Sequence, residues 1–190
     1  MHKKEHAALA NFLLSFSNNE ELLKHKKAFF IGCVGPDYNP LTYTRGSIRN
    51  KLLHGHHAPN SKSLIMKCLK KLPHKETRSF LWYFKLGTLM HYVADSFTYP
   101  HNSFYDGTLL DHRVYERDMH EIFAKKTDSY ESKKASVDLS NIVHFFKEHH
   151  LMYSKGNHSI ENDCEYILKV TLEILGHLAP SKHVKIAYDL

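Results

Sequence analysis

The strongest constraint on the fold is a stretch between residues 76 and 99 that is apolar around nearly its whole helical circumference. Its main apolar members are Phe80, Trp82, Tyr83, Phe84, Leu86, Leu89, Met90 and Val93. A helix that is apolar on most sides has to be buried among other elements. Amphipathic helical patterns flank this stretch, and no alternating strand pattern of convincing length occurs in the sequence. The sequence therefore predicts an all-α fold, a multi-helix bundle forming a single domain over residues 1–190.

Nitrogen and oxygen donors recur at helical spacing inside and just after this central helix. His91 and Asp95 are four residues apart, so they project from one face of the helix. A proline directly before His101 predicts a turn that brings this imidazole off the helix end. His112 and Glu116 form a second pair at the same spacing on the next predicted helix.

This combination of donors is typical of a metal site with more than one ion. Zinc takes imidazole nitrogen and carboxylate oxygen ligands at about 2.0–2.2 Å, and a catalytic site leaves one position for water. A carboxylate can also bridge two ions, an arrangement suited to phosphoester cleavage. Any single histidine among the 17 is better explained as a packing or surface residue, but the combined pattern favours a multinuclear metal site.

Further candidate ligands lie upstream. His6 is one turn before the apolar stripe of a first helix predicted over residues 5–17. Asp37 falls in a stretch rich in glycine and proline, residues 31–40, which predicts a loop beside the core, and a turn-forming role is its alternative interpretation. His54, His56 and His57 precede another predicted helix, and we expect one of the three to be a ligand.

Charge and cysteine usage limit the partners and the compartment. A net charge of +6 and a pI near 9.1 favour anionic partners such as phosphate, nucleic acid or acidic lipid headgroups. The sequence contains no apolar run of about 18 residues, so no transmembrane helix is predicted. The three cysteines are widely spaced, which suggests reduced thiols, and the first residues do not look like a signal peptide. We therefore expect a cytoplasmic protein.

The ordered motifs resemble those of the zinc-dependent phospholipase C family, whose all-α fold is shared with the S1/P1 nucleases. The resemblance rests on His91-x3-Asp95-x5-His101, on His112-x3-Glu116, on the run of four residues that begins at Asp37, and on a histidine close to Pro59 and Asn60. These motifs span most of residues 6–116, and the remainder of the chain matches only as generic helix.

The resemblance implies two to three zinc ions in a cleft. Carried over position by position, the ligands would be Asp37, His56, His91 and Asp95 for the first ion; His101, His112 and Glu116 for the second; and Asp95 with His6 for a third. His54 is the alternative to His56. In the family, the amine and carbonyl of the mature N-terminus complete the third site, and Met1 here precedes His6 by five residues.

The implied activity is hydrolysis of a phosphoester, phospholipase C-like, by a zinc-activated water. Asp37 would act on this water as a base or positioning group. Aromatic side chains near the motifs, Tyr38, Tyr43, Phe104 and Tyr105, would shape the pocket for a phospholipid headgroup or a nucleotide. Two alternatives remain open: an S1/P1-like nuclease, and a non-catalytic helical binding protein in which metals hold the bundle together.

Overall fold

The computed structural model describes residues 1–38, 58–75, 77–130 and 141–180. Eight α-helices and one short 3₁₀ turn occur in these ranges, and no strand is found within them. In chain order the elements are α1 (Lys3–Phe16), α2 (Glu20–Lys24), α3 (Lys26–Tyr38), α4 (Ala58–Lys71), α5 (Phe80–Ser96), the 3₁₀ turn (Tyr99–His101), α6 (Leu109–Asp128), α7 (Ile142–Lys155) and α8 (Ile160–Leu178). The predicted all-α fold class is confirmed.

Helix α5 is the buried centre of the bundle, as its sequence predicts. Helices α3, α4 and α8 all pack against it. It is shorter than the predicted range of 76–99, because it begins after Ser79 and ends at Ser96. Thr98 is extended, and the 3₁₀ turn that follows carries His101 away from the helix axis. The sharp change of direction predicted from the proline before His101 is therefore observed.

The close contact between α3 and α5 depends on two glycines. A methyl group on Gly32 would lie 2.1 Å from the carbonyl oxygen of Phe84, and one on Gly87 would lie 2.0 Å from the carbonyl oxygen of Phe29. No real side chain tolerates such distances, so glycine is required at both positions for the two backbones to meet. This contact places the C-terminal half of α3 directly beside the donors of α5.

The prediction of a loop over residues 31–40 is wrong for residues 31–38, because α3 continues to Tyr38. Glycine at position 35 has no Cβ to clash with the ring of Pro36, which relieves the usual conflict between a proline and a preceding helical residue. The proline lies in the last turns of the helix and is buried there. Glycine and proline in this stretch serve helix packing, and Asp37 consequently lies on a helix and not in a loop.

The remaining helices enclose the core around α5. Helix α8 buries Ile167, Leu168, Val170, Ile174 and Leu175 along one side. The three cysteines are free thiols, two of them fully buried. In the described ranges, no helix has the length and apolar character needed to cross a lipid bilayer.

Candidate metal centre

Two helices that are distant in sequence bring together a first donor group, His6, His91 and Asp95. His6 comes from α1, and the other two come from successive turns of α5. All three side chains are buried, and one potential ligand atom from each lies within 4.8 Å of the other two. The Nε2 atom of His6 is 3.2 Å from Oδ1 of Asp95, and the Nε2 atom of His91 is 3.4 Å from Oδ2.

A second donor group consists of His101, His112 and Glu116. The 3₁₀ turn supplies His101, while the first half of α6 supplies the i,i+4 pair of His112 and Glu116. Their ligand atoms also lie within 4.8 Å of one another. The Nε2 atoms of His101 and His112 are 3.6 Å and 3.3 Å from Oε1 of Glu116. This group is less buried than the first, since His112 and Glu116 are partly exposed.

Asp95 connects the two donor groups. Its Oδ1 atom, which faces His6, is also 3.4 Å from Nδ1 of His101. Asp37 lies at the edge of the first group, with Oδ1 3.8 Å from Nε2 of His91 and Oδ2 4.0 Å from Nε2 of His6. The structure thus brings together seven of the eight predicted ligands. The eighth, His56, lies outside the described residues, as do His54, His57 and Tyr43.

The orientation of His91 is fixed from behind by α3. Its Nδ1 atom is 2.8 Å from the carbonyl oxygen of Cys33. A carbonyl can only accept a hydrogen bond, so Nδ1 carries the proton and the lone pair of Nε2 points to the carboxylates. A backbone acceptor behind a histidine is the usual support for a metal-ligating imidazole.

The α-amino group of Met1 lies at the centre of the cluster. Its nitrogen is 3.2 Å from Oδ1 of Asp95, 3.0 Å from Nε2 of His101 and 3.8 Å from Oε1 of Glu116. Burial lowers the pKa of this amine, but the attraction of Asp95, Glu116 and Asp37 outweighs burial and raises the pKa above its ordinary value. A positive charge is therefore stabilised among these carboxylates.

The same attraction acts on the carboxylates. Burial raises the pKa of Asp95, but the Met1 ammonium and the imidazoles of His101, His91 and His6 hold it well below its usual range. The pKa of Glu116 is lowered in the same way, against burial, by its histidine neighbours and the Met1 ammonium. Both groups are ionised at neutral pH, so two closely spaced negative charges lie in the donor groups, and the Asp37 carboxyl lies at the edge of the first group.

The donors fit divalent cations. A buried carboxylate such as Asp95 needs a cation or several hydrogen bonds. The partly buried carboxylates of Asp37 and Glu116 face imidazoles that Asp95 also faces. The Nε2 atoms of His6 and His112 and the Nδ1 atom of His101 are buried and face these carboxylates without forming a hydrogen bond. Ring nitrogens directed at carboxylate oxygens without hydrogen bonding are the arrangement expected when a metal ion would sit between them. Imidazole and carboxylate together are the ligands that zinc prefers.

His2 is a further neighbour of the second group, and no periodic spacing in the sequence indicates it. The Nε2 atom of His2 is 3.1 Å from Oε2 of Glu116, the oxygen opposite the one that faces His101 and His112. The backbone nitrogen of His2 also donates to Glu5, 3.0 Å away, and Glu5 in turn contacts His120 at 2.6 Å. His2 precedes α1 and belongs to no periodic pattern, so only its general histidine chemistry could have suggested it.

The predicted pocket aromatics are in different situations. Tyr38 follows Asp37 and is exposed, with the Lys3 ammonium 4.2 Å from the centre of its ring. The ring of Tyr105 is 6.3 Å from that of His112, beside the second group. Phe104 instead packs among aromatic rings, stacking on His158 at 4.8 Å. The structure therefore places Tyr38 and Tyr105 near the donors and Phe104 in a packing cluster.

The helical fold brings together two adjoining donor groups, each of which could hold a metal ion. The family model described as zinc-dependent phospholipase C matches residues 1–160. The chain therefore belongs to the zinc-dependent phospholipase C family, which confirms the resemblance seen in its sequence motifs. No curated protein and no solved structure gives a significant match.

Proposed function

We propose that the protein is a zinc-dependent phosphoester hydrolase of the phospholipase C type, with a phospholipid headgroup ester as its substrate. The observation that carries the proposal is the position of Asp95, whose carboxylate faces the first donor group with both oxygens and the second group with one. A shared carboxylate between two sets of imidazoles is suited to ions held a few ångströms apart, as phosphoester hydrolysis uses them.

The two donor groups would have separate roles in binding the ions. His6, His91 and Asp95 would hold one part of the ion cluster, and His101, His112 and Glu116 the other. Bound zinc would lower the pKa of a water molecule towards 7 and neutralise charge on the phosphate oxygens. We further propose that the cluster holds two to three ions and that His56 is one of the ligands.

Asp37 is the candidate base or water-positioning group. Its carboxylate lies farther from the imidazoles, at 3.8 Å and 4.0 Å, than that of Asp95 does. A carboxylate at this edge position can accept a hydrogen bond from a water molecule next to the first donor group while it balances charge there. No serine or cysteine nucleophile is needed for this reaction.

Substrate contacts would come from Tyr38 and Lys3, and from Tyr105. The Lys3 ammonium lies above the ring of Tyr38, the residue that follows Asp37, and would meet the charge of a phosphate ester there. Tyr105 would border the second group near His112. Tyr43 and Phe104 are predicted pocket residues, and the stacking of Phe104 on His158 argues against a substrate contact for this ring.

A zinc-loaded preparation tests the proposal with three substrate types: a phosphatidylcholine analogue, a p-nitrophenyl phosphodiester and single-stranded DNA. We expect turnover of the first two that disappears with a chelator and returns with zinc. Asp37→Asn should lose most turnover while the zinc content falls less than in Asp95→Asn. The exposed Asp118, replaced by Asn, is the matched control.

The outcomes separate the alternatives. Cleavage of DNA alone would indicate the nuclease activity. Tightly bound zinc without turnover of any substrate would indicate the metal-stabilised binding protein. Absence of bound zinc would contradict all three.

A further inference from the structure

A buried carboxylate outside both donor groups, Asp163, lies in the first turn of α8. Its side chain is completely excluded from solvent. Its Oδ2 atom accepts hydrogen bonds from the backbone nitrogen of Tyr99, 2.6 Å away, and from the hydroxyl of Tyr115. Its Oδ1 atom accepts a third from the hydroxyl of Tyr153 at 2.8 Å. One side chain therefore collects three donors from three different elements.

Two of these three elements carry the whole second donor group. Tyr99 begins the 3₁₀ turn that ends with His101. Tyr115 precedes Glu116 on α6 and follows His112 by three residues. The third element, α7, carries Tyr153 and supplies no member of either donor group. The carboxylate thus joins the two pieces of chain on which the second group is built.

These two pieces need such a connection. Residues 102–108 link the 3₁₀ turn to α6, and most of this link is exposed to solvent. An exposed link of this length does not by itself fix the distance between His101 and the pair on α6. A hydrogen bond to Tyr115 also fixes the rotation of α6 about its axis, which determines where Glu116 on the same turn points.

We infer that Asp163 is a positioning residue for the second donor group, holding the 3₁₀ turn and α6 at the spacing that lets His101, His112 and Glu116 share one cation. The inference rests on the proposed zinc site, and it does not require turnover. Ligand geometry has to be kept within about 0.5 Å for a site to bind well. Loss of a supporting partner behind metal ligands typically lowers metal affinity by about 10–100-fold.

Tyr115 and Tyr153 provide a matched pair of variants, because their hydroxyls donate to the Asp163 carboxylate from different helices. Tyr115→Phe removes the hydrogen bond to the helix that carries ligands, and Tyr153→Phe removes the equivalent bond to a helix that carries none. Both variants lose one buried hydroxyl. A purely structural role of Asp163 predicts similar effects of the two variants on zinc affinity, whereas a positioning role predicts different ones.

Zinc affinity would be measured by competition with a chromophoric chelator, with His112→Ala identifying the binding step that belongs to the second group. Tyr115→Phe should weaken that step by about tenfold or more, while Tyr153→Phe should stay within about threefold of the wild type. The visible spectrum of the Co²⁺-loaded protein should change in Tyr115→Phe and not in Tyr153→Phe. Melting temperatures of the metal-free proteins report folding separately.

The outcomes distinguish this inference from the proposed function. A wild-type protein that binds no zinc would overturn both. A wild-type protein that binds zinc, with equal affinities in Tyr115→Phe and Tyr153→Phe, would overturn the inference alone. Asp163→Ala provides a second measurement, because it removes the acceptor of all three donors and should weaken the second binding step at least as much as Tyr115→Phe does.

Discussion

The imidazole rings of His6 and His91 stack face to face, with their centroids 3.8 Å apart and their planes inclined by 24°. The two residues come from α1 and α5 and present their Nε2 atoms to opposite oxygens of Asp95. The stacking brings the imidazole of His6, from a distant part of the chain, alongside that of His91, so that two nitrogen ligands face one carboxylate. Asp95 is thereby the residue on which both donor groups depend most.

Replacing Asp95 by Asn should remove bound zinc. The amide keeps the size of the side chain but loses its charge, and its NH₂ group would face an imidazole nitrogen or the Met1 ammonium. We expect the zinc content per chain to fall by at least one equivalent, measured by mass spectrometry of the purified protein. Asp118→Asn, an exposed carboxylate on α6 that pairs with Arg117, should leave the zinc content unchanged. Equal zinc in Asp95→Asn and the wild type would contradict the shared role of Asp95.

Zinc should stabilise the folded chain. The unfolded chain cannot bring these donors together, so the binding free energy adds to the free energy of unfolding. Free zinc at about 100 times the dissociation constant would add about 2.7 kcal/mol. For a domain of this size that corresponds to a rise in melting temperature of roughly 5–10 °C. Scanning calorimetry with zinc and with excess chelator measures the difference, and coincident curves would show that the donors do not bind the metal.

The sequence predicted those parts of the site that depend on local geometry. His91 with Asp95, and His112 with Glu116, each lie one helical turn apart, so helical periodicity alone places both members on one face. The position of His101 followed from the effect of proline on the preceding helix. The family motifs then linked these local pieces into one ligand set, which the structure brings together except for the histidines between residues 54 and 57, which it does not describe.

Other parts depend on tertiary packing that no local pattern records. Gly32 and Pro36 are loop signals in isolation, but α3 remains helical because α5 packs closely against its glycine face. The contact of His2 with Glu116 joins residues more than one hundred positions apart. Asp163 lies beyond the ordered motifs, and its three donors come from separate elements, so its role appears only in the folded chain.

Replacing Gly32 by Ala should destabilise the protein strongly. The added methyl group would lie 2.1 Å from the carbonyl oxygen of Phe84, and only movement of a helix backbone can relieve this contact. We expect a loss of about 3 kcal/mol or more in the free energy of unfolding, measured by urea denaturation. Zinc affinity should also fall, because α3 carries the Cys33 carbonyl that orients His91.

Gly176→Ala is the matched control for this substitution. Position 176 lies inside α8, and a methyl group there would meet nothing within 4 Å. Alanine favours the helix over glycine by about 1 kcal/mol, so this variant should be as stable as the wild type or more so. Similar stabilities of Gly32→Ala and Gly176→Ala would show that α3 and α5 do not approach each other as described.

The ionisation of Asp163 should make the free energy of unfolding of the metal-free protein depend on pH. Burial raises the pKa of this carboxyl to about 6, although the hydrogen bonds from Tyr115, the Tyr99 amide and Tyr153 oppose the shift. In the unfolded chain the pKa is about 3.9, so between roughly pH 4 and 6 the native state binds a proton that the unfolded state has released. The contribution of Asp163 to the free energy of unfolding is therefore fully present below about pH 4. It is lost as the pH rises to about 6, and the loss amounts to up to about 3 kcal/mol.

Comparison with Asp163→Asn isolates this contribution, because Asp95, Glu116 and His101 titrate in both proteins. Urea unfolding of the chelator-treated proteins at pH 4, 5, 6 and 7 should show the free energy of unfolding of the wild type decreasing relative to that of the variant as the pH rises. The difference in free energy of unfolding between the wild type and Asp163→Asn could instead stay constant, or change in favour of the wild type as the pH rises. Either result would show that burial does not govern the ionisation of Asp163.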